Sequence, residues 1–378
     1  MRILHLVVFI GAALLASPVG AQTDWPAYGH DPGGMRYSPL KQINAKNVAK
    51  LELAWTYDTQ APVTQAPSAG PPAAGPAAPD AEGLNAQSGR AASGARRGAG
   101  RGRGGRGPRA RRSESTPLMI GGVMYLSTAY NRVVALEPET GKKIWEYEGQ
   151  HTPAMRGIAY WPGDERLPPQ IVFGTADGWL ISLNAKTGKP VPGFGNEGMV
   201  NLRTGVADKF PQKAYGLSSP PTIYKDLVIT GAHTQESPSL GPSGDLRGWD
   251  MRTGKLLWTF HSIPWPGEPN HDVWSGDQWV DRSGANSWGI ITLDAERGMI
   301  FVPFGTPTTD FDGSDRKGSN LYGSSLVALD AATGKVKWYF QTTHHDNWDY
   351  DLQAPPALIE VKRNGKKIPA VAQSTKQG

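Results

Sequence analysis

Apolar positions along this chain come in short alternating runs, and four of those runs pass into the same phrase. It reads Ala135-Leu136-Glu137, then Thr140-Gly141-Lys142-Lys143-Ile144-Trp145. It returns as Gly248-Trp249-Asp250 with Thr253-Gly254-Lys255-Leu256-Leu257-Trp258, and as Ala328-Leu329-Asp330 with Thr333-Gly334-Lys335-Val336-Lys337-Trp338. A weaker copy, Ser182-Leu183-Asn184 with Thr187-Gly188-Lys189-Pro190-Val191, lacks the tryptophan. Alternation predicts strands, and Thr-Gly between two of them predicts a tight turn whose glycine takes the positive φ that other residues avoid. Each unit is therefore a β-meander.

Meanders repeated along a chain cannot bury their faces singly. They pack around an axis, and a β-propeller is the usual outcome when each unit has about four strands. Composition agrees with an all-β fold rich in turns: the 378 residues include 47 Gly, 32 Pro and 13 Trp, and no long amphipathic helical stretch occurs. Cysteine is absent, which removes disulfides, thiolate metal sites and a haem-attachment motif together.

Two segments stand apart. Residues 1–21 place Arg2 before an apolar run from Ile3 to Leu15 and end in Val19-Gly20-Ala21, which reads as a signal peptide and predicts export to the periplasm. Residues 61–115 are an insertion of Ala, Pro, Gly, Ser and Arg, with nine arginines against Asp80, Glu82 and Glu114. It accounts for the formal net charge of +5, because the rest of the chain is weakly acidic. Too little of it is apolar to offset the entropy of ordering, so disorder is expected. Peripheral contact with anionic membrane lipid suits it better than nucleic acid in an exported protein. The final residues, Thr375-Lys376-Gln377-Gly378, follow a strand begun at Val371 to Ser374, from which a C-terminally truncated fragment with an open propeller is expected.

Candidate chemistry gathers in three places. His344-His345-Asp346-Asn347-Trp348-Asp349-Tyr350-Asp351 follows the predicted strand Val336 to Gln341 and could supply metal ligands, a general base or turn residues. Clustered carboxylates raise one another's pKa, which suits a base working near neutrality. The run His233-Thr234-Gln235-Glu236-Ser237 ends another strand, and its carboxylate, amide and hydroxyl oxygens suit a hard cation such as Ca²⁺. Trp288 opens a third strand, where packing between blades competes with a cofactor role.

These residues also carry a resemblance. Asp24-Trp25-Pro26 through Tyr37-Ser38-Pro39-Leu40, Leu51 to Trp55, Thr116-Pro117-Leu118, the Thr-Gly repeats and His344 to Asp351 together resemble the dehydrogenases that use pyrroloquinoline quinone (PQQ). The glucose dehydrogenase-like branch is the closer, because the adjacent cysteine pair of the alcohol branch is missing and Gln150-His151-Thr152 stands in that region. The resemblance implies an eight-bladed propeller with PQQ and Ca²⁺ on its axis, of which residues 22–378 would form roughly the first half.

Carried over residue by residue, the resemblance makes Asp349 the catalytic base and Lys376 the basic contact to the quinone oxygens. Trp288 becomes the floor beneath PQQ, Arg156 and Ser218 its polar contacts, and His151 a histidine near the substrate. Glu236 and Thr308 fall at the cation, Thr308 where many relatives have Asn. Asp346 and Asp351 are expected to shape the turn, and His344 and His345 to be structural. The implied function is oxidation of a sugar or alcohol hydroxyl, with electrons leaving to a membrane quinone or a periplasmic cytochrome. The alternative is a non-catalytic envelope propeller, which would have no use for Trp288, Asp349 and Lys376 together.

Overall fold

The computed structural model describes residues 24–59 and 113–378. The signal-peptide reading, and the insertion up to Arg112, lie outside these residues. Four antiparallel four-stranded sheets follow one another along the chain. The first blade is β1 (Leu118–Ile120), β2 (Val123–Ser127), β3 (Arg132–Leu136) and β4 (Lys143–Glu148). The second is β5 (Ala159–Trp161), β6 (Gln170–Gly174), β7 (Trp179–Asn184) and β8 (Met199–Asn201). A short ribbon strand, β9 (Tyr215–Gly216), precedes β10 (Thr222–Tyr224) and β11 (Leu227–Thr230) of the third blade. It pairs with β12 (His233–Thr234), which leads into β13 (Leu246–Asp250) and β14 (Leu256–Phe260) of that blade. The fourth is β15 (Thr292–Asp294), β16 (Met299–Pro303), β17 (Ser325–Asp330) and β18 (Val336–Gln341), and the hairpin β19 (Ala357–Arg363) with β20 (Lys366–Ala372) follows. None of these sheets closes on itself.

The hydrophobic core lies between blades, because both faces of each inner strand are covered. On the second blade Ile171, Phe173, Ile181 and Leu183 pack against Tyr125, Val133 and Trp145 of the first, while Val172 and Leu180 face Val228 and Trp249 of the third. The period of two that marked the sequence is this alternation between two neighbours. Each fully buried side chain of this kind contributes about 1.5–3 kcal/mol.

The Thr-Gly phrases are the turns after β3, β7, β13 and β17. Asp250 Oδ1 accepts from the Thr253 N–H at 2.8 Å and its hydroxyl at 2.8 Å, and Asp330 Oδ1 does the same with Thr333 at 3.1 and 2.9 Å. The glycines have φ of 69–71°. Their missing side chains also admit a neighbour. A Cβ on Gly188 would stand 2.5 Å from the Trp145 ring, and one on Gly334 the same distance from Trp258, while Trp55 covers Gly141. The tryptophan ending one phrase thus lies on the glycine of the next blade. Two of these indoles also donate to the turn they cover, Trp55 to Pro138 O at 3.0 Å and Trp145 to Ala185 O at 2.8 Å. The copy without tryptophan leaves Val200 in that place against Gly254, and there Trp161 donates to Lys225 O at 2.9 Å instead.

First strands of successive blades touch in the order β5, β10, β15, β19 and so line the axis. The segment around Trp25 to Gly33 runs along them: Trp25 pairs with Met119, Leu293 N donates to Pro32 O at 2.8 Å, and Leu358 N to Gly33 O at 3.0 Å.

Candidate active site

Trp288 sits just before β15, and its backbone is fixed from the loop between β9 and β10. The Ser218 and Ser219 hydroxyls both donate to its carbonyl, at 2.8 and 2.6 Å. Ala232, just after β11, donates its N–H to Ser287 O at 3.0 Å. Residue 231 must be glycine there, since a Cβ would collide with that same carbonyl. The indole Nε1 donates to Asp351 Oδ2 at 2.8 Å, and Asp351 Oδ1 accepts from Thr306 N at 2.6 Å. On the ring face, the Arg156 guanidinium stands 5.2 Å from the centroid. Its Nε lies 3.1 Å from Glu114 Oε2 and the Arg156 backbone N–H donates to Ser218 O at 3.2 Å, while Nη1 is buried without a partner. Glu114 belongs to the last three residues of the 61–115 stretch, which are therefore held against the second blade.

Asp349 follows β18 in a turn organised by Asp346. The buried Asp346 Oδ2 accepts from the Thr306 and Ser324 hydroxyls and the Tyr350 N–H at 2.7–2.8 Å, and Oδ1 from the Trp348 N–H at 2.9 Å. Asp349 has φ 57°, and Lys376 clamps it: Nζ lies 3.0 Å from Oδ2 and donates to the Asp349 carbonyl at 2.5 Å. Burial, and then Asp351, pushes the Asp349 carboxyl up to about 7 against the pull of Lys376. Burial with Asp351 also raises Glu236. A fourth carboxyl, Asp310, is 7% exposed and reaches about 9 through burial and the charges of Asp351, Asp349 and Glu236.

The structure thus gathers Asp349, Lys376, Trp288, Arg156, Ser218 and Glu236 in one electrostatic neighbourhood. Two expected residues are not part of it. His151 instead pairs with Asp177, Nδ1 to Oδ2 at 2.6 Å, with its ring 5.1 Å from Trp179. Thr308 is buried, and its hydroxyl donates to Ser239 O at 2.8 Å in a network with Arg282. Thr306, two residues earlier, is the threonine that touches the cluster: its N–H donates to Asp351 and its hydroxyl to Asp346 Oδ2 at 2.8 Å, whereas the Thr308 hydroxyl goes to Ser239. Asp351, expected to shape the turn, instead links the indole to the carboxylates; Asp346 shapes the turn. His344 is exposed, and His345 Nδ1 lies 3.2 Å from Gly318 O. Asp310 escaped the sequence reading, its only signal being an acid two residues beyond Thr308.

A buried guanidinium nitrogen without a partner above an aromatic face fits a planar, anionic cofactor such as PQQ. Clustered carboxylates, with Asp349, Glu236 and Asp310 each pushed up partly by acidic neighbours, fit a hard cation by charge and by donor chemistry. Among the described residues, however, no three His, Asp or Glu side chains converge on one ion.

The profile described as "PQQ: Glucose/ethanol/alcohol dehydrogenase, beta-propeller domain" matches residues 25–79 and 96–378. The chain belongs to this family. Quinoprotein glucose dehydrogenase of Escherichia coli K12 is 34% identical over 96% of the chain and 42% of its own length. Quinoprotein glucose dehydrogenase A of Acinetobacter calcoaceticus is 33% identical over 96% and 43%. The crystal structure of quinohemoprotein alcohol dehydrogenase from Comamonas testosteroni superposes with a TM-score of 0.70 at 29% identity, covering 94% of this chain and 46% of that one. The chain thus spans less than half the length of these relatives, and its blades are part of a quinoprotein-type propeller.

Proposed function

We propose that this chain supplies the catalytic base, the aromatic floor and part of the cofactor pocket of a periplasmic PQQ-dependent dehydrogenase that oxidises a sugar or alcohol hydroxyl. The observation that carries the reading is the shared carboxylate Asp351, hydrogen-bonded to the Trp288 indole and raising the Asp349 pKa. When bound, PQQ would supply an ortho-quinone able to accept a hydride from the carbon bearing the hydroxyl. Asp349, held near 7, takes the hydroxyl proton at a pH where a normal carboxylate is a weaker base. Lys376 holds that carboxylate in place and puts a positive charge beside it for oxygen atoms that gain electron density. Trp288 offers a flat apolar surface, and Arg156 a cationic donor for a cofactor carboxylate. Ca²⁺ would be held by Glu236 and Asp349 and would act as a Lewis acid there. Thr308 is not offered as a ligand, because its hydroxyl is engaged by Ser239. Export follows from residues 1–21, and electrons would pass to a membrane quinone or a cytochrome.

The test is dye reduction by the natural protein, purified free of cofactor, with a panel of sugars and alcohols. Activity should appear only after PQQ and Ca²⁺ are added together. Turnover that survives chelation and dialysis and responds instead to a nicotinamide cofactor overturns the reading.

A further inference from the structure

His233 is a polar side chain beside the Trp288 site that the mechanism above leaves unused. It lies on β12, whose pairing with Gly216 of β9 fixes its backbone. The ring Nδ1 is buried and has no hydrogen-bond partner. Buried polar atoms of folded proteins almost always have partners, so an orphan of this kind points to a missing one. Two further orphans adjoin it: the Arg156 Nη1 and the hydroxyl of Ser287, the residue before Trp288. The three belong to one neighbourhood, since Arg156 stands over the Trp288 ring, Ala232 is bonded to Ser287, and His233 feels the charges of Arg156 and Asp351. Burial, with Arg156 next in effect, holds the imidazole near pKa 4, so the ring is neutral at working pH and carries one N–H. One water would satisfy a single such atom, but a guanidinium, an imidazole and a hydroxyl together beside an aromatic face match a flat ligand with several oxygen acceptors.

We propose that His233 is a cofactor-binding residue, donating its Nδ1–H to an oxygen of PQQ while Arg156 meets a carboxylate of the same molecule. This inference rests on the PQQ reading above and adds a contact to it. Loss of one hydrogen bond to an anionic acceptor weakens binding by about ten- to a hundredfold.

The experiment titrates PQQ into the natural protein, purified free of cofactor, and follows quenching of tryptophan fluorescence, a readout independent of turnover. His233→Ala should bind ten- to a hundredfold more weakly than the unaltered protein. His233→Asn, whose amide N–H can stand near the Nδ1 position, should recover affinity to within a few-fold, with unchanged far-ultraviolet dichroism in both. Equal affinity of His233→Ala and the unaltered protein overturns the assignment and leaves the PQQ reading intact. So does His233→Asn binding as weakly as His233→Ala, which would mean that the ring's bulk and not its N–H matters. Absence of PQQ binding by the unaltered protein overturns both.

Discussion

Lys376 closes on Asp349 from 27 positions away in sequence, bonding the carboxylate and the backbone carbonyl of the same residue. A single ammonium therefore fixes both the position and the acidity of the base. Without it, burial and Asp351 would act on that carboxyl with nothing beside it to oppose them.

Removing the carboxylate is the direct test. Asp349→Asn keeps the shape but cannot accept a proton, so turnover in the natural protein should fall by about a hundredfold or more, the usual range for a general base. PQQ binding should persist. Dye reduction with saturating PQQ and Ca²⁺ measures the first, and fluorescence titration the second.

The acid limb of the pH–rate profile reports the base. With Asp349 raised to about 7, kcat/KM should climb through that region as the carboxyl loses its proton. Lys376 favours the ionised form, so Lys376→Met should move the limb to higher pH, whereas Lys376→Arg should leave its position nearly unchanged. A limb that stays in place in Lys376→Met separates the lysine from the acidity of the base.

Stability should carry the mark of Asp310. Its folded pKa, about 9, lies above that of an unfolded aspartate, so the native state holds a proton that the unfolded chain has lost. Stability therefore falls as pH rises between about 4 and 9. Asp310→Asn should flatten that dependence and raise the unfolding temperature at pH 8 relative to pH 5, measured in cation-free buffer.

Calcium demand should follow the anionic ligands. Glu236→Gln removes one charge from the cluster, so a higher Ca²⁺ concentration should be needed for half-maximal activity. It also relieves Asp310 and Asp349, lowering both pKa values. Calcium titration of activity and the pH profile read the two effects separately.

Packing between blades is tested at Gly188. An alanine there meets both a positive φ and the Trp145 ring 2.5 Å away, so Gly188→Ala should destabilise by about 1–3 kcal/mol. Thermal unfolding checks it, with Gly193→Ala, where nothing lies within 4 Å of the added carbon, as the control.

The repeats were legible because their chemistry is local: an acceptor side chain, a threonine and a glycine within five residues make the turn whatever surrounds it. The residues gathered at Trp288 were legible only through resemblance, since they come from separate blades and no spacing links them. Thr308 was misplaced because Thr306 and Thr308 are equivalent in composition, and only the partners each finds in the folded loop separate them. Asp310 was missed, and Asp351 was given only a turn role, for a further reason. Their importance lies in the absence of water and the nearness of other carboxylates, and burial of that kind is not written in a sequence of loops.

The seam between the second and third blades differs from its neighbours in where it is fastened. Elsewhere the fastening is an indole reaching outward from a fourth strand, but here the outer position holds Val200 and the indole is Trp161 on a first strand. The outer edge of this seam is held by the main chain instead, Gly195 N donating to Thr253 O at 2.8 Å beside Val200. Arg156 precedes β5 and His233 follows β11, so the two stand on the two blades that this seam joins. A seam tied at both edges keeps the distance between these two proposed cofactor contacts nearly constant.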